Sequence, residues 1–366
     1  MPIGPIVMSR RGMLKLSVGT AGALALAACG SGNNGASGAT TLSWTTWNDH
    51  YLPEQLAAVK DQTGIAVSPA LQDSDSQAYL KVKQSQGQWD TVSADALWVP
   101  KMNADGLTES FDIAEIDASK QLYAMARGLP FWKDGSKTMA YPFGWSSVQF
   151  TYDPKTVPST PSSWEILTDP RMQGKVVAEN QPIDLMAIAG LATGAKEPYN
   201  MTDDEIGRAK QFLGAAKPAF LKLVSQNDEL VRALADGSAI LAIANLGTDY
   251  RVKAAGGPEL SVATPKEGTI GFIDGEQLVK GSPKRAEFMK FQNAMQQADW
   301  IAKNFIANGR PLFNEQAYKL LVDQGEQERA DRLFYNKPEK ALEMTLKGPA
   351  GNEQAYTDAF NEVFGA

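Results

Sequence analysis

Histidine and cysteine are nearly missing: the 366 residues hold one of each, His50 and Cys29. One histidine rules out a His-rich metal site, and one cysteine rules out a disulfide or an iron–sulfur ligand set, so no metal and no cofactor is expected. No Gly-x-Ser-x-Gly elbow supports a Ser-His-Asp triad around His50, and no glycine-rich dinucleotide or phosphate loop precedes a helix. No Tyr-Tyr pair offers a ferric-iron site. Paired-carboxylate hydrolysis is the enzyme chemistry that composition leaves open. Basic clusters are also scarce. Lys and Arg number 35 against 42 Asp and Glu, a formal charge of −7, which argues against nucleic acid, whose phosphates call for basic patches. An acidic balance is compatible with a cationic ligand. No internal repeat is visible, and no run beyond residue 28 is long and apolar enough to cross a membrane.

The amino-terminal segment is informative. Ser9-Arg10-Arg11-Gly12-Met13-Leu14-Lys15 reads as a twin-arginine export motif, and the apolar run Leu16–Ala28 is too short to span a bilayer, so it reads as a signal h-region. Leu26-Ala27-Ala28-Cys29 resembles a bacterial lipobox, which makes residues 1–28 a signal peptide and Cys29 the lipidated residue. Loss of Arg10, Arg11 and Lys15 takes the formal charge to −10. Residues 29–41, small and polar after Cys29, read as a flexible tether. The expected location is the periplasm or the outer face of the cell membrane, lipid-anchored.

The remaining 325 or so residues exceed what one core usually fills, so two lobes are expected. Strand and helix patterns alternate. Thr41–Thr45 reads as a strand, Pro53 opens a helix that Gly64 closes, and Ile65–Val67 begins the next strand. Thr202 and Glu205 have capping-box spacing, and Asn227 is placed to cap a helix that stops at Gly237. Ala239–Ile243 is a continuous apolar run of the fully buried kind. Ser282-Pro283 opens a helix carrying Phe288, Phe291 and Met295, and Tyr356, Phe360, Val363 and Phe364 form a terminal stripe. The pattern predicts an α/β fold with mainly parallel sheets. Pro and Gly interrupt it at Tyr141–Trp145 and Thr264–Gly268, which places two crossovers there. The expected layout is lobe 1 over 42–143 plus about 274–305, lobe 2 over 144–273, and C-terminal helices over 306–366.

Trp44-Thr45-Thr46-Trp47, Tyr51-Leu52-Pro53, Thr63–Val67, Trp98–Met102, Tyr141–Trp145, Ser163–Leu167 with Gly174-Lys175, and Pro265–Gly268 with Asp274 occur in an order that resembles the spermidine/putrescine-type periplasmic solute-binding proteins. The resemblance covers nearly all of the chain beyond the tether. It implies a two-lobed type II binding-protein fold hinged on two crossover strands, with no catalysis. The protein would be a monomer that delivers a small molecule to the membrane permease of an ABC importer.

It also implies site residues. Trp47 falls on a ligand-stacking position, Asp274 on the carboxylate that grips an amine, Phe272 on a nearby aromatic position, and Asp184 on a second acidic one. Asp95, Glu179, Trp98, Trp145 and Asn245 complete the candidate lining. An ammonium leaving water needs a charge-assisted hydrogen bond, and aromatic faces add cation–π attraction. The solute is expected to be an amine, a polyamine such as putrescine or spermidine or an amino-acid derivative. Leu97 and Ala244 stand where aromatic residues are expected, which favours putrescine or an amino-acid derivative over a long, twice-clamped polyamine. The alternatives are an exported carboxylate-based hydrolase on the same scaffold, or an anionic solute gripped by Arg310. Arg310 and His50 are otherwise expected at the surface.

Overall fold

The computed structural model describes residues 40–365 except 86 and 158. The export motif, the h-region, Cys29 and the tether as far as residue 39 lie outside the described residues; Thr40 and Thr41 already belong to the first strand.

Eight strands carry the main path of the sheet: β1 (Thr40–Thr46), β2 (Ile65–Leu71), β3 (Thr91–Asp95), β4 (Tyr141–Tyr152), β5 (Val176–Glu179), β6 (Phe220–Val224), β7 (Leu241–Asn245) and β8 (Ile270–Val279). Their spatial order is β2-β1-β3-β8-β4-β7-β5-β6. The triplets β2-β1-β3 and β7-β5-β6 are parallel. Between them β8 and β4 run antiparallel to each other and to the triplet each one touches. This is the mixed α/β, two-lobed architecture with two crossover strands.

The crossovers are long because each serves both halves. β4 pairs β8 through residues 141–147 and β7 through 148–152. β8 pairs β4 through 271–276 and β3 through 274–278. The first crossover thus begins at Tyr141, as expected, whereas the second begins at Ile270, beyond Thr264–Gly268. That earlier segment has another task. The Glu267 carboxylate accepts hydrogen bonds from Ser163 Oγ and the Trp164 amide, and Trp164 Nε1 donates to the Gly268 carbonyl at 3.0 Å. A third passage follows: Thr345–Leu346 pairs with Ile270–Gly271, after which the helix Glu353–Phe364 packs on the second half through Tyr356, Phe360 and Val363.

The apolar interior divides accordingly. Trp44, Phe111, Phe288, Phe291, Phe305 and Phe313 belong to one core, built from the first half and the helices after β8. Phe150, Trp164, Met186 and Phe360 belong to a second. A smaller third core covers the opposite face of the second half. The period of two along β7 shows why its sequence is continuously apolar: Leu241 and Ile243 enter the second core, Ala242 and Ala244 the third.

Local signals act much as read. The helix Pro53–Thr63 ends at left-handed Gly64, and Thr202 with Glu205 forms a capping box on Asp203–Ala216. The cap before Asn227–Ala235 is Gln226. Asn227 is the first helical residue, and its Oδ1 accepts from Arg251 Nη1 at 2.8 Å.

One glycine marks a close approach between the halves. Gly247 has φ +91°, and a Cβ there would lie 1.8 Å from the Gly309 carbonyl oxygen. Gly247→Ala should lower stability by about 3 kcal/mol, combining left-handed strain with overpacking. Gly64→Ala, also left-handed but facing open space, should cost only about 1–2 kcal/mol. Urea denaturation of the two variants checks the difference; equal losses would mean that the Gly309 contact yields freely.

Candidate functional site

All six parallel strands deliver their carboxyl ends to one cavity of about 500 Å³. It is lined by Trp47 and Asp49 after β1, Gln72–Ser76 after β2, Asp95 of β3, Glu179–Asp184 at the end of β5, Ser225–Asn227 after β6 and Asn245 of β7. This is where open α/β sheets bind ligands, and the volume lies within the roughly 300–1,000 Å³ of small-molecule sites. The amino termini of the helices Asp75–Gln84, Pro182–Ala192 and Asn227–Ala235 line it too, so peptide dipoles partly offset the carboxylates. Eight acidic and three basic side chains lie in the wall.

Alternation along β8 sets Phe272 and Asp274 in the wall, with Glu276 deeper on the same face. Asp274 is already engaged by two cations. His50 Nε2 lies 3.2 Å from its Oδ2, which also accepts from Arg310 Nη1. His50 Nδ1 lies 2.7 Å from Glu276 Oε1, and Glu276 Oε2 accepts from Trp44 Nε1 and Ser93 Oγ. Both ring nitrogens face carboxylates, so the imidazolium is the species that satisfies both. Burial alone would lower the His50 pKa, but Asp274 and Glu276 outweigh it and push it up to about 9. Burial alone would raise Asp274, yet the Arg310 guanidinium and His50 hold it well below the usual carboxylate range.

Arg310 owes its position to backbone geometry. Left-handed Gly309 ends the helix Ala298–Asn308, and the next residues run antiparallel against β4, with the Trp145 amide donating to the Pro311 carbonyl and the Phe313 amide to Phe143. Gly144 permits this approach, since a Cβ there would meet Leu312 at 2.5 Å. The guanidinium is then stacked near Phe143 and Phe272. Lys347, just past the third passage, lies 5.2 Å from the Phe272 ring centre and pairs with Asp184 at 2.6 Å. Tyr199 also donates to Asp184.

A second acidic group sits beside Asp274. Asp95 lies opposite it on β3, and the Asp95 amide donates to Asp75 Oδ1 at 2.8 Å. Burial pushes Asp75 up to about 7, and burial, Asp75 and Asp274 push Asp95 well above its ordinary value. Burial also raises Glu179.

A profile of the bacterial extracellular solute-binding proteins matches residues 92–336. The chain belongs to this family. It is a binding protein and not an enzyme. It is similar to the spermidine/putrescine-binding periplasmic protein of Escherichia coli strain K12, at 26% identity over 310 residues covering 82% of this chain and 84% of that protein. Two solved structures share its fold. One is the Tp0655 (TpPotD) lipoprotein of Treponema pallidum, with a TM-score of 0.71, 17% identity and coverage of 88% of this chain and 99% of that one. The other is MotA of A. tumefaciens B6 in complex with glucopine, with a TM-score of 0.67, 17% identity and the same coverages.

In this solute-binding protein the cavity brings together Trp47, Asp95, Trp98, Glu179, Asp184, Asn245, Phe272 and Asp274. Trp145 does not join them: it is buried in the first core, on a strand shared by both halves. His50 and Arg310, expected at the surface, are 1% and 5% exposed. Arg310 lines the cavity and His50 lies behind Asp274. Ala244 is turned toward the third core, so its missing aromatic concerns the opposite face from the one Asn245 presents. The sequence reading did not single out Asp49, Asp75 or Lys347. Ser74-Asp75-Ser76 reads as ordinary helix capping, and Lys347 sits in a connection with no periodic signal.

Proposed function

We propose that this chain is the lipid-anchored substrate-binding protein of an ABC importer, and that it takes a small amine-bearing solute, a polyamine or an amino-acid derivative. The observation that carries this is the shared cavity at the carboxyl ends of all six parallel strands, where acidic side chains outnumber basic ones by eight to three. The relatives support it by name, since the similar protein of Escherichia coli binds spermidine and putrescine. Trp47 and Phe272 supply apolar faces for the solute's methylenes, and Asp75, Asp95 and Glu179 supply acceptors. Asp274 acts by holding Arg310 and His50 in place.

The proposed lobes are 42–143 with about 274–305, and 144–273, with residues 306–366 packed onto both. They close about β4 and β8 when solute binds, as hinged binding proteins do. Closure should reduce the radius of gyration in solution scattering, and identical curves with and without saturating solute would remove it.

The ligand class is tested by a thermal-shift screen of putrescine, spermidine, amino acids and glucopine. A ligand at 100 times its Kd should stabilise the fold by about 2.7 kcal/mol. A screen in which only amine-free anions stabilise the protein would sink the reading. For the anchor, Cys29→Ser should release the protein from membranes, and Arg10→Lys with Arg11→Lys should block export. Unchanged membrane retention of Cys29→Ser would remove the lipid anchor.

A further inference from the structure

We infer that the solute carries a carboxylate as well as an amine, and that Arg310, with Lys347 near the same Phe272 ring, forms the subsite that receives it. This rests on reading the cleft as the site of an amine-bearing solute. Arg310 holds an unmatched donor. Arg310 is 5% exposed. Its Nη1 donates to Asp274, and its Nε lies 3.4 Å from Asp49 without hydrogen-bond geometry. Its Nη2 is buried and has no partner among the described residues, although the side chain lines the cavity. A buried charged donor without an acceptor is costly. A guanidinium edge is matched bidentately by a carboxylate or a phosphate, and the carboxylate is the one that an amine-bearing amino-acid derivative carries.

Lys347 brings a second cation to the same ring. Phe272 is 5.8 Å from the Arg310 guanidinium carbon and 5.2 Å from Lys347 Nζ, so this one ring in the wall has two cations close to it. A bare diamine laid along Phe272 would bring like charges together, whereas a solute with a carboxylate at that end would not. The amine has its own place. Asp95 faces Asp274 from the neighbouring strand and adjoins Asp75, so an acidic subsite borders the same wall. One amino-acid-like solute would reach both.

Matched pairs that differ only by a carboxylate test this: lysine and cadaverine, ornithine and putrescine, arginine and agmatine, with glutarate as the amine-free acid. Isothermal titration of the purified protein should show, in at least one pair, the amino acid binding tenfold or more tightly than its decarboxylated partner. Arg310→Gln should bring that preference below about threefold, and Lys347→Gln should reduce it in the same direction. If Arg310→Gln does not fold, the wild-type comparison and Lys347→Gln still decide. Amines that bind as tightly as their amino acids in every pair that binds overturn the carboxylate subsite and leave the amine reading standing. Glutarate binding with no amine-bearing compound bound overturns the amine reading and keeps the subsite. No binding by any of these compounds overturns both.

Discussion

Asp274→Asn is expected to cost roughly 3–5 kcal/mol of folding stability, the usual loss when one partner of a buried ion pair is removed. Asp274 is 1% exposed and lies between His50 and Arg310, themselves 1% and 5% exposed. Asparagine keeps the shape and removes the charge, leaving the imidazolium with Glu276 and the guanidinium with Asp49. Asp274 is held below its unfolded pKa, so its contribution is present above the unfolded value of 3.8 and is lost only as pH falls toward the lower folded value. At neutral pH the full effect should appear as a lower midpoint in urea denaturation. An unchanged midpoint combined with lost amine affinity would return Asp274 to the role of direct amine ligand that its sequence position suggests.

Raising the pH from 6 to 10 should remove on the order of 3 kcal/mol through His50 alone, the worth of a shift from 6.5 to about 9. The folded His50 binds its proton more tightly than the unfolded one. Its stabilisation is therefore complete below pH 6.5 and is lost as pH rises through about 9. Asp75, raised from 3.8 to about 7, has the same sign and acts earlier, since the folded state favours its protonated form and loses that advantage between about pH 4 and 7. The protein should thus be markedly more stable at pH 6 than at pH 10. His50→Gln should flatten the alkaline part of the profile and leave the acid part intact. A wild-type profile flat from pH 6 to 10 would mean that His50 is not held as an imidazolium between the two carboxylates.

The mutual position of the site residues shows where sequence reading reaches its limit. Trp47, Asp95 and Asn245 each stand at or just beyond the end of a parallel strand, and Asp184 stands in the first turn of the helix that follows β5. Alternating strands and helices already imply that such ends face a common crevice, so these positions are legible. Trp145 is the opposite case. Its flanking Pro and Gly mark the crossover correctly, but its side chain is buried in the first core and not in the cavity wall, which depends on elements distant in the chain that pack on that face. The equal β2-β1-β3 and β6-β5-β7 arrangements are likewise a repeat of topology with no repeat in the amino acids.

By itself the sequence determined the α/β class, the helix boundaries at Pro53, Gly64 and Thr202, and the two-sided burial of β7. Periodicity, caps and positive-φ glycines act within a few residues and need no distant partner. The tertiary structure alone decided the electrostatics of the cleft. His50 meets Glu276 across 226 positions, Arg310 meets Asp274 across 36, and Lys347 reaches Asp184 from the third passage between the halves. Whether a charged side chain is solvated or buried against a counter-charge depends on which loops the fold brings together, and Coulomb attraction in a buried site depends on distance in space, not on separation along the chain.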